Sequence, residues 1–117
     1  MDRAEVQDYC LTKPGSYLDE PWDDTVVVKV REKIFAFLGS YTGDTVGLKC
    51  GVDRHEADEW LEDFPDDATS MPYLGDRGWN SLRIGSAIPE AELLAAIDVS
   101  YNLVVSKLPR KQRPLGS

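Results

Sequence analysis

Apolar positions recur along this chain at two spacings, and the changes from one to the other mark out its elements. Steps of three and four residues link Leu93, Leu94, Ile97, Tyr101, Val104, Val105 and Leu108, the pattern of an amphipathic helix. Pro89 stands at a favoured first-turn position and Pro109 ends the run. A shorter stripe of Ala57, Trp60, Leu61 and Phe64 follows Asp53 as N-cap, with Glu56 at the third helical position and Pro65 as the stop. Val6, Tyr9 and Cys10 mark a third helix, opened by Asp2 and Glu5 in a capping-box pattern and closed by Pro14-Gly15.

Strand-like runs fill much of the space between these helices. Thr25 to Val30 and Lys33 to Leu38 are rich in β-branched and aromatic residues, and only Arg31-Glu32 separates them. The flanking pattern predicts a hairpin although the tip lacks the usual Gly or Asn. Gly39 to Gly43 predicts a turn into a third strand, Thr45 to Cys50. Ser16 to Asp24 mixes Pro21 with Asp19, Glu20, Asp23 and Asp24 and predicts a loop. Met71 to Leu74 predicts a short strand and Trp79 to Ile84 a longer one. The expected fold is α+β, a two-layer sandwich of α-β(3)-α-β(2)-α order. Its antiparallel sheet carries the helices on one face.

Alternation from the Arg31-Glu32 tip assigns the faces. Val26, Val28, Val30, Phe35 and Phe37 are expected in the core, joined by Val46, Leu48, Leu82 and Ile84. The opposite face would present Val27, Lys29, Ile34, Ala36, Leu38, Thr45, Lys49, Trp79, Ser81 and Arg83. Three cations and a tryptophan on an apolar floor suit phosphates and a stacked base. The same apolar positions suit a second subunit, or a cover of loops and the C-terminal tail. All three readings stand at this point.

At 117 residues the chain makes one domain. Residues 1–109 are expected to form it, with 110–117 as a basic tail that frays. A core of this size needs no disulfide or metal, so Cys10 and Cys50 read as reduced, buried thiols. The net charge of −8 works against nucleic acid as a general partner. The charge is uneven, however. Asp53, Glu56, Asp58, Glu59, Glu62, Asp63, Asp66 and Asp67 crowd the middle of the chain, whereas Lys107 to Arg113 holds four bases and no acid. Apolar runs such as Ile34 to Leu38 fall far short of the roughly twenty residues of a membrane span. Asp2 and Glu5 stand where a secretory leader would be basic and then apolar. The expected setting is cytoplasmic, away from membranes.

Candidate chemistry is sparse. His55 is the only histidine and has no nucleophile or orienting group marked for it. Asp19, Glu20, Asp23 and Asp24 lack the alternation and central glycine of a calcium loop. Gly39 to Asp44 lacks the lysine of a phosphate-binding loop. No catalytic residue, metal or cofactor is expected, and the chain reads as a non-enzyme.

Several short blocks carry a likeness. They are Pro14-Gly15-Ser16 with Pro21-Trp22, Val28-Lys29-Val30, Lys33-Ile34-Phe35-Ala36, Leu48-Lys49-Cys50, Trp79-Asn80-Ser81, and Ser100-Tyr101 through Lys107-Leu108-Pro109. In this order they resemble the MmcQ/YjbR family of small bacterial proteins. The resemblance implies a compact α+β domain, usually described as DNA-binding through hairpin wings, with a fold similar to that of acidic, peptide-binding secretion chaperones. Two features depart from the family pattern. Tyr73-Leu74-Gly75-Asp76-Arg77-Gly78-Trp79 lacks the usual two histidines, and Arg31-Glu32 replaces a glycine-rich tip. The resulting expectation is duplex DNA held by Lys29, Arg31, Lys33, Lys49, Arg77, Arg83, Lys107, Arg110, Lys111 and Arg113, with Trp79 and Asn80 beside them. The alternative is a protein-interaction or chaperone-like module, or a homodimer, that uses the apolar sheet face. Its acidic helix would then select the partner.

Overall fold

Two of the three expected helix starts are built as their capping residues dictate. Asp2 Oδ1 accepts from Glu5 N (2.9 Å) while Glu5 Oε1 accepts from Asp2 N (3.1 Å), closing a capping box on α1 (Arg3–Cys10). Asp53 Oδ1 accepts from Glu56 N (3.0 Å) and opens α2 (Arg54–Asp63). The third helix, α3 (Glu90–Ser106), follows Pro89. The computed structural model describes residues 1–39 and 43–115, so most of the expected Gly39 to Gly43 turn lies outside the described residues.

Six strands form one antiparallel sheet: β1 (Ser16–Trp22), β2 (Thr25–Val30), β3 (Lys33–Gly39), β4 (Thr45–Lys49), β5 (Ala68–Ser70) and β6 (Trp79–Arg83). Their order across the sheet is β1-β2-β3-β4-β6-β5. All three helices cover one face, α1 and α3 over the centre and α2 beside them on β5 and β6. The architecture is α+β, as expected. The strand count is six rather than five, because Ser16–Trp22 pairs with β2 despite its acids and proline. An edge strand needs only one side of its backbone bonded, and β1 shifts register between Asp19 and Trp22, around Pro21. The short strand expected at Met71 to Leu74 is instead Ala68–Ser70.

The face assignment also changes, for a specific reason. In β3 two residues are extra to the β2 pairing: Phe35, between the partners of Val28 and Lys29, and Leu38, between the partners of Val26 and Val27. Each bulge interrupts the strict alternation. Phe35, Ala36 and Leu38 are therefore all fully buried in the main core with Val26, Val28, Val30, Val46, Leu48, Leu82 and Ile97. Ala36 and Leu38 were expected on the open face, and Phe37 in the core. Phe37 is half-buried and packs on the core edge-on against Trp79, ring centres 5.4 Å apart, and Trp79, expected on the open face, is buried in the core cluster. Val27 is enclosed but lies outside the main cluster. Met71 covers Gly47 closely; a Cβ there would stand 2.6 Å from the Met71 sulfur.

Pairing between β3 and β4 is short, limited to Ala36 with Leu48 and Phe37 with Gly47. Beyond it the strands part, and the Ser100 hydroxyl from α3 enters the gap. It donates to Phe35 O (2.6 Å) and accepts from Lys49 N (2.9 Å), satisfying two backbone groups in the core. One residue on, the Tyr101 ring packs edge-on against Phe35 at 5.2 Å and its hydroxyl donates to Pro14 O (2.6 Å). The segment expected to fray after Pro109 makes contacts with the body. Arg110–Gln112 form a 3-10 turn, Arg31 Nε donates to Gln112 O (2.6 Å), and Arg113 donates to Leu108 O (3.0 Å) and Ser106 O (2.9 Å).

Replacing Ser100 with alanine leaves Phe35 O and Lys49 N–H buried and unpaired. Urea denaturation of Ser100→Ala is expected to show a loss of roughly 1–3 kcal/mol per unsatisfied group. The thiols give a pH test. Burial pushes Cys10 and Cys50 from 9.0 up to about 12, so the folded chain holds these protons more tightly than the unfolded one. Their contribution to stability is intact below pH 9.0 and declines as pH rises toward about 12. Unfolding midpoints measured across that range should fall less steeply in Cys10→Ala.

Candidate nucleic-acid interface

Where β3 and β4 part, the last turns of α3 close the opening from one side and the segment before β6 from the other. The resulting cleft has a volume of about 290 Å³. Four cations from four elements converge on it: Lys33 of β3, Lys49 of β4, Arg77 of the 3-10 turn Gly75–Arg77, and Lys107 at the C-cap of α3. Ile34, Trp79, Leu103 and Val104 supply apolar walls, and among the described residues no carboxylate lines it.

Two physical features set this cleft apart. The first is that its charges are uncompensated. Ion pairs join Lys13 to Asp98, Lys29 to Asp19 (2.7 Å), Arg54 to Asp58 (2.6 Å) and Arg83 to Asp67 (3.8 Å). Among the described residues, none of the four cleft cations has a carboxylate within ion-pair distance. The second is depth. Lys49 is 7% exposed, and its Nζ donates to Arg77 O (2.5 Å). Burial lowers its pKa below the ordinary lysine value, and the positive charges of Lys107 and Arg77 lower it further against the opposing field of Glu56.

A turn-to-helix network holds Arg77 in place. The Arg54 guanidinium reaches from α2 to Ser70 Oγ (2.9 Å), Gly75 O (3.1 Å), Trp79 O (3.3 Å) and Asn80 Oδ1 (2.5 Å) while pairing with Asp58. Asn80 in turn donates to Ala57 O (2.9 Å). Gly78 adopts φ +89°, and a Cβ there would lie 2.2 Å from Gly51 O, so only glycine allows this turn to sit against the start of α2.

Five of the twelve expected contact residues therefore meet in one place: Lys33, Lys49, Arg77, Trp79 and Lys107. The others do not join them in that cleft. Lys29 is neutralised by Asp19, whose carboxyl is in turn held below its ordinary pKa by the Lys29 ammonium. Arg83 lies at the opposite end of β6, paired with Asp67. Arg31 and Arg113 are bound to backbone carbonyls, whereas Arg110 and Lys111 are exposed. Asn80 is fully buried and structural, which corrects its place among the contacts. Sequence reasoning missed Leu103 as a wall and Arg54 as the residue that positions the turn. Leu103 sits outside the main apolar stripe of α3, and nothing in the neighbourhood of Arg54 marks it as different from other helix cations.

A larger hollow of about 480 Å³ lies at Gly15, Tyr17, Arg31, Glu32 and Pro114. It pairs one cation with one acid and has no excess charge. Among the described residues, no group of three His, Cys, Asp or Glu side chains is placed to hold a metal ion. No helix among them is long and apolar enough to cross a membrane.

Comparison with known proteins places this geometry in context. The YjbR family model matches residues 11–103. The uncharacterised protein YjbR of Escherichia coli K12 is 26% identical over 118 aligned residues, covering 98% of this chain and 97% of that protein. The crystal structure of a Deinococcus radiodurans protein with a DUF419 domain superposes with a TM-score of 0.81 at 24% identity, over 94% of this chain and 83% of that one. A Pseudomonas syringae protein structure superposes at 0.65 with 19% identity, over 88% and 98%. These structural likenesses speak to the fold alone.

The Arg54 network is open to direct measurement. A lysine cannot reproduce a planar fork that serves several acceptors at once. Arg54→Lys is expected to lose roughly 1–3 kcal/mol in urea denaturation. Hydrogen exchange should rise most at Arg77, Gly78 and Trp79, whose amides close the turn.

Proposed function

This chain belongs to the YjbR family, and we propose that within that fold it is a non-enzymatic DNA-binding module whose contact surface is the cationic cleft. The observation that carries this reading is the convergence of Lys33, Lys49, Arg77 and Lys107 without a carboxylate, in a chain of net charge −8. A field of this kind at one site attracts phosphate even when the whole molecule is anionic. The exposed Arg110 and Lys111 follow Lys107 along the chain and extend the basic surface. The acids of α2 disfavour other docking poses through like-charge repulsion.

The footprint is smaller than a fully basic sheet face would give. Lys29 and Arg83 already have acidic partners, so they add little. A protein-interaction reading built on the apolar sheet face has less support. Of Val27, Ile34 and Leu38, which were to form its patch, Val27 and Leu38 are enclosed and Ile34 lines the cleft.

Fluorescence anisotropy with a duplex oligonucleotide tests the proposal. Four phosphate contacts give a slope of log affinity against log salt of about −3.6. Lys33→Glu and Lys107→Glu should each weaken binding by about tenfold or more, a loss of about 1.4 kcal/mol. Lys29→Ala should change it little. Absence of binding at low salt and tens of micromolar protein would sink the reading.

A further inference from the structure

We propose that the cleft is shaped for a terminal phosphate, meaning a phosphomonoester attached to a flat or apolar group, rather than for phosphates along a duplex. The inference builds on the DNA-binding reading but makes a narrower demand of the same site. Three features support it.

Depth is the first. Lys49 is almost wholly enclosed, between the parted ends of β3 and β4. A diester phosphate has chain on both sides and lies on the surface of its helix, so it meets the exposed Lys33, Arg77 and Lys107 more readily than the buried Lys49. A monoester has chain on one side only and can enter the cleft end-on, toward Lys49. Charge is the second. A monoester carries between one and a half and two negative charges near neutral pH, against one for a diester. Four converging cations without acids match the higher charge. The third feature is the lining. Ile34, Trp79, Leu103 and Val104 form apolar walls beside the cations, and the volume of about 290 Å³ suits a phosphate with the flat group next to it. Such chemistry belongs both to the end of a nucleic-acid strand and to a free nucleotide.

The test uses four probes against the full chain: a short single DNA strand with a terminal phosphate, the same strand ending in hydroxyls, a nucleoside monophosphate, and inorganic phosphate. Calorimetric titration is expected to show the phosphorylated strand binding at least about tenfold more tightly than its hydroxyl-ended copy, a preference lost in Lys49→Met. If Lys49→Met fails to fold, Lys107→Gln on the cleft rim serves instead and should reduce the preference severalfold. Affinity for the phosphorylated strand should also fall with rising pH sooner than an ordinary lysine would cause, because Lys49 gives up its proton more readily.

The outcomes separate the two readings. Equal binding of phosphorylated and hydroxyl-ended strands overturns the terminal-phosphate inference and leaves DNA binding standing. Binding of the nucleoside monophosphate without either strand supports the inference with a free nucleotide as its source, and the DNA reading falls if the duplex also fails to bind. Inorganic phosphate binding as tightly as the nucleoside monophosphate overturns the role given to the apolar walls. No binding by any probe overturns the terminal-phosphate inference, while the duplex titration decides the DNA reading.

Discussion

The Ser100 hydroxyl occupies a gap where β3 and β4, at the centre of the sheet, stop pairing. Phe35 O and Lys49 N–H would otherwise face each other across a gap, and each needs a partner because both are buried. A single side chain answers both with one donor and one acceptor. That exchange fixes the height of α3 over the sheet and brings Tyr101 onto Phe35 and Pro14. It also decides what happens one helical turn later. Leu103 and Lys107 arrive over strands that have already separated and line an opening, while Val104 serves both that wall and the core. The cleft is thus a by-product of how the core satisfies its backbone.

The charge arrangement follows a similar economy. Most cations outside the cleft have a local duty: Lys13 ties the segment after α1 to α3, Lys29 ties β2 to β1, and Arg54 ties α2 to the turn before β6. The cleft cations have no such acidic partners. Lys107 gains something from the α3 carboxyl end, where a positive charge is favoured. Lys49 gains one backbone acceptor and bears a desolvation cost. A fold that only needed stability would do better with an apolar residue at Lys49, since burying an ammonium without a counter-charge is unfavourable.

Much of the fold was legible in the sequence. The stripes of α2 and α3, the caps of α1 and α2, and the strands β2, β3, β4 and β6 all follow from spacing and from Asp, Pro and Gly at the ends. What escaped was physical detail of two kinds. The bulges at Phe35 and Leu38 leave no mark in a run of five apolar residues, because every position satisfies either face. β1 is held by its neighbour and not by propensity, so its acids and proline read as loop. The site was half legible. Residue type selected Lys33, Lys49, Arg77, Trp79 and Lys107, but only tertiary packing could separate them from Lys29, Arg83 and Asn80. The segments that best match the family, such as Ser100-Tyr101, report how the helix meets the sheet.

The cleft cations come from β3, β4, the turn before β6, and the end of α3, segments far apart along the chain. No fragment of the protein assembles them. Their mutual repulsion is therefore a burden that exists only in the native state and that the unfolded chain escapes. An anion seated among them relieves that burden and binds nothing comparable in the unfolded ensemble. By mass action, occupancy becomes a reservoir of folding free energy that grows with the logarithm of anion concentration. On the proposed reading, the surrounding anion pool would then help set how firmly the protein stays folded.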